Sequence, residues 1–155
     1  MKKIFILLVS LVALASCGTK TPYDTFREEN KEEITFSLNA SSTLANLFVN
    51  EDDIAGLKNV VSGIKNYRIM VSDNNGGALE KRFKELVNSK KYEELFRVSN
   101  NGDDVRLYFY KKGNKIKEII CKVNSKENLV VLSAQGNLKI KDLNKLVEEM
   151  TVGSR

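Results

Sequence analysis

Two thiols and a group of cationic and phenolic side chains are the residues best placed to do chemistry, because the sequence contains no histidine. Imidazole-based acid–base and nucleophilic catalysis are therefore excluded. A metal site would have to be built from carboxylates and a thiolate, and no spacing in the chain suggests one. The two thiols differ in setting. Cys17 ends an apolar run, Ile4 to Leu14, broken only by Ser10 and preceded by Lys2 and Lys3, with the small residues Ala15 and Ser16 just before it. Charged head, short apolar core and small residues form the layout of a secretory signal peptide. The run falls short of the ~20 apolar residues that a membrane-spanning helix needs. Cys121 alternates in step with Ile119 and Val123 and is expected on the inward face of the sheet with them. A free cysteine there packs as a small hydrophobe, whereas a reactive thiol needs exposure and a nearby cation.

The ending Leu14-Ala15-Ser16-Cys17 resembles the bacterial lipobox. The resemblance implies that Leu14, Ala15 and Ser16 are the recognition residues for the signal peptidase. It also implies that the Cys17 sulfur receives a diacylglycerol and that the new N-terminus is acylated after cleavage. The alternatives are an ordinary signal peptide that happens to hold a cysteine, or an uncleaved anchor. With Cys17 acylated, Cys121 has no partner for an intramolecular disulfide. Gly18-Thr19 rather than an acidic pair follows Cys17. The expected location is therefore the cell envelope, lipid-anchored in the outer membrane and facing the periplasm.

Removing the signal peptide, residues 1–16, leaves 139 residues, the size of one domain, and takes the formal net charge from +5 to +3. Lysine and glutamate are interspersed, so the concentrated basic footprint of a nucleic-acid binder is missing. Aliphatic and aromatic content is sufficient for a core. Residues 17–32 are polar and hold the only proline, which reads as a flexible tether. Phe26 is the residue within it suited to a first contact with the folded domain. The domain itself is expected over residues 33–150, with residues 151–155 as a C-terminal tail.

The elements that would position these groups follow from periodicity. Ile34, Phe36 and Leu38 alternate with Thr35 and Ser37 as a half-buried strand. Asn39 or Ser41 would cap a short helix carrying Leu44, Leu47 and Phe48. Asn50-Glu51-Asp52-Asp53 opens a helix with Ile54, Leu57, Val60, Val61 and Ile64 on one face. The acidic run lacks calcium-loop spacing and is read as a cap. Tyr67 to Ser72 reads as a strand, and Asn74 to Gly77 as a turn without the phosphate-cradle fingerprints. Leu79, Phe83, Leu86 and Val87 then stripe a helix.

A four-strand meander follows. Asn101-Gly102 predicts a two-residue hairpin turn that pairs Asn100 with Asp103, Val98 with Val105, Phe96 with Leu107 and Glu94 with Phe109. Around Gly113 a longer, odd loop with a left-handed Gly113 would align Val105, Leu107 and Phe109 with Val123, Cys121 and Ile119. Leu129 to Ala134 is apolar on both faces, as an inner strand covered on both sides would be. Asp142 would cap a last helix with Leu143, Leu146, Val147 and Met150. The resulting fold class is α+β: a mixed or antiparallel sheet of about six strands with helices largely on one face. A right-handed crossover would make the Ile34 and Tyr67 strands parallel.

The Ile34–Leu38 strand with its Leu44/Phe48 helix, the Leu57–Val71 passage and the closing Leu132-Ser133-Ala134-Gln135-Gly136-Asn137-Leu138 resemble the domain of unknown function 4252 family. These are small lipoproteins of Gram-negative bacteria. The resemblance implies an envelope location, a compact mixed fold and no established catalytic residues.

Arg97, Arg106, Tyr108, Tyr110 and Lys122 share the sheet face opposite Cys121. Two arginines directly across strands repel unless an anion lies between them. Glu93 or Glu118 would supply it, or a helix would cover the face. Otherwise the five residues form an anion or partner surface, since arginine and tyrosine are enriched at interfaces. The expected function is a non-catalytic protein-interaction or regulatory module with a membrane anchor and an envelope protein partner, without cofactor or metal. A periplasmic carrier of a small apolar or anionic ligand is the alternative, and an enzyme working through carboxylates, Lys or Tyr comes third.

Overall fold

The alternation read from the sequence closes into one six-stranded sheet. The computed structural model describes residues 20–45, 62–73, 77–89, 92–100 and 102–139. In chain order the elements are α1 (Pro22–Glu29), a 3-10 turn (Lys31–Glu33), β1 (Phe36–Ser41), the single turn α2 (Ser42–Ala45), β2 (Ile64–Asp73), α3 (Ala78–Ser89), β3 (Tyr92–Asn100), β4 (Asp103–Lys112), β5 (Lys115–Asn124) and β6 (Asn128–Leu138). The strand order is β1-β2-β6-β5-β4-β3, with every neighbour antiparallel. The expected α+β architecture and the four-strand meander β3 to β6 are both present.

The tether expected over residues 17–32 is corrected by α1. Thr21 accepts from the Asp24 amide while the Asp24 carboxylate accepts from the Thr21 amide, a complete capping box with Pro22 in the first turn. The helix turns Tyr23 and Phe26 onto the sheet, where they are 0% and 5% exposed. They pack with Phe83 of α3, Phe26 and Phe83 edge to face at 5.8 Å, and Phe83 in turn meets Tyr108 of β4. Met70, Leu79, Leu86, Val87, Tyr92, Ile120, Leu129 and Val131 complete the buried members of this cluster. The folded unit therefore includes residues 21–32, ahead of the expected start at residue 33.

Several local expectations are also revised. β1 and β2 pair antiparallel, with Phe36 opposite Val71 and Ser41 opposite Asn66, so no parallel crossover joins them. Asn39 and Ser41 lie within β1, and the helical turn starts at Ser42. Leu47, Phe48, the helix expected from Asn50 and the one expected from Asp142 lie outside the described residues; Ile64 belongs to β2. The β3–β4 register is as expected from Asn100/Asp103 to Phe96/Leu107. A bulge at Leu95 then places Glu94 opposite Tyr108 and Glu93 opposite Phe109. In β4–β5 the aligned pairs Val105/Val123, Leu107/Cys121 and Phe109/Ile119 are those expected, and Gly113 has φ +62°. The extra residue sits in β5 at Lys117, between the pairs Tyr110/Glu118 and Lys111/Ile116, and the turn itself is the short one.

The faces are distinct. The inner face is covered by α1 and α3. The outer face carries a second cluster of Ile64, Phe109, Ile116, Ile119 and Leu138. β6 is the expected inner strand, but its two faces are not equally covered: Leu129 and Val131 on the inner face are buried, while on the outer face Leu138 is buried and Leu132 is 40% exposed.

Candidate functional site

Alternation puts Glu118, Ile120 and Lys122 of β5 on the inner face, beside Ser133 and Gln135 of β6 and Arg106, Tyr108 and Tyr110 of β4. Two ionisable groups are thereby driven under the helices, and each is answered by a set of partners.

Glu118 is fully buried. One carboxylate oxygen accepts from Ser133 Oγ at 2.6 Å and Gln135 Nε2 at 2.8 Å, and the other from the Tyr92 hydroxyl at 2.6 Å. Gln135 Nε2 reaches onward to Thr21 Oγ1 at 2.9 Å and Asp24 Oδ1 at 3.1 Å. Asp24 is in turn ion-paired with Arg68. Burial raises the Glu118 pKa, against the hydrogen bonds from Ser133, Tyr92, Gln135 and Thr21, which lower it. Burial likewise raises the Tyr92 hydroxyl, reinforced by the neighbouring Glu118 charge. The network thus fastens the start of α1 to the two central strands of the sheet, β5 and β6, toward one end.

Lys122 is also fully buried. Its ammonium lies 3.1 Å from Glu80 of α3 and 3.2 Å from Asp104 of β4. Asp104 also accepts from Arg106 Nε at 2.6 Å and Ser99 at 2.8 Å. Burial opposes the charge on Asp104, but the bonds from Arg106, Ser99 and Lys122 prevail and hold its carboxyl well below the usual range. In Glu80 burial is again outweighed, here by Lys84 and Lys122, and the pKa is lowered.

These contacts locate the five residues expected to form an anion or partner surface. Arg97 and Arg106 do face one another. Asp104 lies within ion-pair distance of both, and Glu94 also pairs with Arg106, so neither Glu93 nor Glu118 neutralises them. Tyr108 is 4% exposed and Lys122 is enclosed, and α3 covers this face. Tyr110 packs against Tyr92. Among the five, Arg97 has its side chain about half open, at 54%. The surface expected there is corrected to a helix–sheet interface.

Cys121 lies on the outer face, opposite Leu107 and Leu132, and not on the inward face expected, because α1 and α3 cover the alternate residues Ile120 and Lys122. It is half-buried, and burial raises its thiol pKa, which disfavours the thiolate. Around it the outer face is apolar across all six strands. Its open positions are Phe36 (52%), Leu38 (47%), Val98 (45%), Leu132 and Phe96. Among the described residues no three His, Cys, Asp or Glu side chains gather as a metal site requires, and no helix is long and apolar enough to cross a membrane.

The residues missed from sequence were Thr21, Asp24, Tyr92, Ser133 and Gln135. Thr21-Pro22-Tyr23-Asp24 carried a readable signal, a capping box with proline at its first helical position. Ser133 and Gln135 carried none beyond sharing a face with Leu129 and Val131.

The family described as Domain of unknown function (DUF4252) matches residues 25–146. The signal described as Prokaryotic membrane lipoprotein lipid attachment site matches residues 1–17. No curated protein matches the chain.

Proposed function

We propose a role for this chain, which belongs to the DUF4252 family and is a membrane-anchored lipoprotein, as a non-catalytic docking module. In this reading Cys17 bears the lipid, after cleavage behind Leu14-Ala15-Ser16. The protein sits in the outer membrane and faces the periplasm. It binds an envelope protein through the outer face of its sheet.

One observation carries the reading: large apolar side chains stand open on the face away from α1 and α3, with Phe36 and Leu38 about half exposed on edge strand β1. Such patches mark interaction surfaces, and an edge strand offers unpaired backbone groups to a partner. The buried carboxylate and ammonium are already hydrogen-bonded or ion-paired within the fold, which suits structural roles for both.

The test is crosslinking in intact envelopes, comparing wild type with Phe36→Asp/Leu38→Asp. Loss of one defined crosslinked protein, with the thermal midpoint unchanged, supports the reading. A crosslink pattern identical in both forms contradicts it. A small molecule retained in native mass spectrometry would favour the carrier, for which the groove of about 540 Å³ between α1 and α3, lined by Phe26, Arg82, Leu86 and Tyr110, is the natural place.

A further inference from the structure

Only residues 18–20, four Cα-to-Cα steps, separate the lipid-bearing Cys17 from Thr21, whose side chain is tied to Gln135 and Asp24. At 3.3–3.6 Å per residue, four steps reach at most ~14 Å even when fully extended. The end of the sheet that holds Thr21 is therefore kept beside the headgroup layer.

That end is basic. The pairs Ile64/Gly136, Ile116/Leu138 and Lys112/Lys115, with the Asn137 amide donating to Gly63 O, bring the start of β2, the end of β6 and the β4–β5 turn together around Thr21. They gather Lys65, Lys112, Lys115, Lys117 and Lys139 with Lys20. A groove of about 400 Å³ lies between Lys20, Lys65, Arg68 and Lys117, floored by Gln135 and Gly136. The acids among these cations include Asp24, paired with Arg68, Glu28, paired with Lys20 at 2.8 Å, Glu93, paired with Lys111 at 2.9 Å, and Glu118, which is buried. The opposite end of the sheet carries Glu32, Glu33, Asp73, Asp103 and Glu127, with Lys31, Lys126 and the Arg82 that pairs with Glu33 among them. Charge is thus polarised along the strands, and the anchor emerges from the positive end.

We infer that this basic end seats on the anionic phospholipid headgroups of the membrane that holds the anchor. Lysines near an anionic surface are attracted within about a Debye length. The covalent anchor raises their effective concentration at that surface, so individually weak contacts suffice to orient the domain. The strands then stand away from the bilayer, and the outer apolar face is presented sideways to a partner. The inference rests on acylation at Cys17, and not on the identity of that partner.

The test uses the purified acylated protein, its intact mass first establishing the lipid on Cys17. It is placed in vesicles of phosphatidylcholine alone or of phosphatidylcholine with phosphatidylglycerol, and its lysines are footprinted with an amine-reactive reagent. The expected result is slower labelling of Lys65, Lys115, Lys117 and Lys139, by about fivefold, only in the phosphatidylglycerol vesicles and relieved by salt. Lys31 and Lys126 should be unaffected. The exposed triple variant Lys65→Glu/Lys115→Glu/Lys139→Glu should lose the labelling difference between the two vesicle types at those lysines it retains. Equal labelling of both ends in both vesicle types, on acylated protein, overturns this inference and leaves the docking reading standing. An unmodified Cys17 overturns both.

Discussion

Thr21 and Gln135 lie 114 positions apart in the chain and are joined by a hydrogen bond of 2.9 Å. The same Gln135 amide nitrogen donates to Glu118, so the first capped residue of α1 and the one fully buried carboxylate among the described residues belong to a single network. The contact turns a segment that reads as a leash into part of the core.

Thr21→Ala removes the cap of α1 and one partner of Gln135. It should lower stability by about 1 kcal/mol, measured as a fall in urea midpoint at unchanged slope. If residues 17–32 were a tether, the substitution would be neutral.

How far the sequence could be read is clearest in this region. The meander was legible because Asn101-Gly102 fixes a turn and alternation fixes which residues share a face. Alternation does not say which face is covered. Cys121, Ile119 and Val123 were grouped correctly, yet α1 and α3 lie on the other side, over Lys122 and Tyr108. The β1–β2 direction was not legible either, since residues 42–63 are long enough for a parallel or an antiparallel connection. The missed helix is a case of composition outweighing a local signal: the polar character of residues 18–32 obscured the Thr21/Asp24 box and the Tyr23/Phe26 spacing. The Glu118 site could not be found from pattern, because its partners come from β3, β6 and α1 and meet only through the sheet order.

Glu118 should make stability fall as pH rises. Its carboxyl pKa is raised in the folded protein, so the folded state holds its proton more tightly than the unfolded chain. The contribution is full below the ordinary glutamate value of about 4.3 and is lost as pH rises through the folded value. Subtracting Glu118→Gln from wild type isolates this dependence, because Asp104 and Glu80, which act in the opposite direction at lower pH, are common to both. A difference that is flat, or that rises with pH, contradicts the assignment.

Lys122→Met should cost about 1–3 kcal/mol, because two carboxylates lose a buried partner while keeping Arg106 and Lys84. Arg97→Ala, at a half-open side chain, should stay within about 0.5 kcal/mol. Equal effects in chemical denaturation would contradict the described burial.

Gly136→Ala should destabilise by about 1–3 kcal/mol. A Cβ there would stand 2.0 Å from the Gly63 carbonyl oxygen, a backbone atom that cannot swing aside. The substitution should also speed amide exchange at Asn137, which donates to that same oxygen.

Native-state amide exchange along α1 of the acylated protein tests most directly whether residues 21–30 are part of the folded domain rather than a leash. If Thr21, Gln135 and Glu118 hold the helix to the sheet, the amide of Asn30, which donates to Phe26 O at 3.1 Å, should exchange as slowly as those of β5 and β6, by global unfolding. Exchange of Asn30 at the rate of an unstructured chain, with β5 and β6 still protected, would contradict the account.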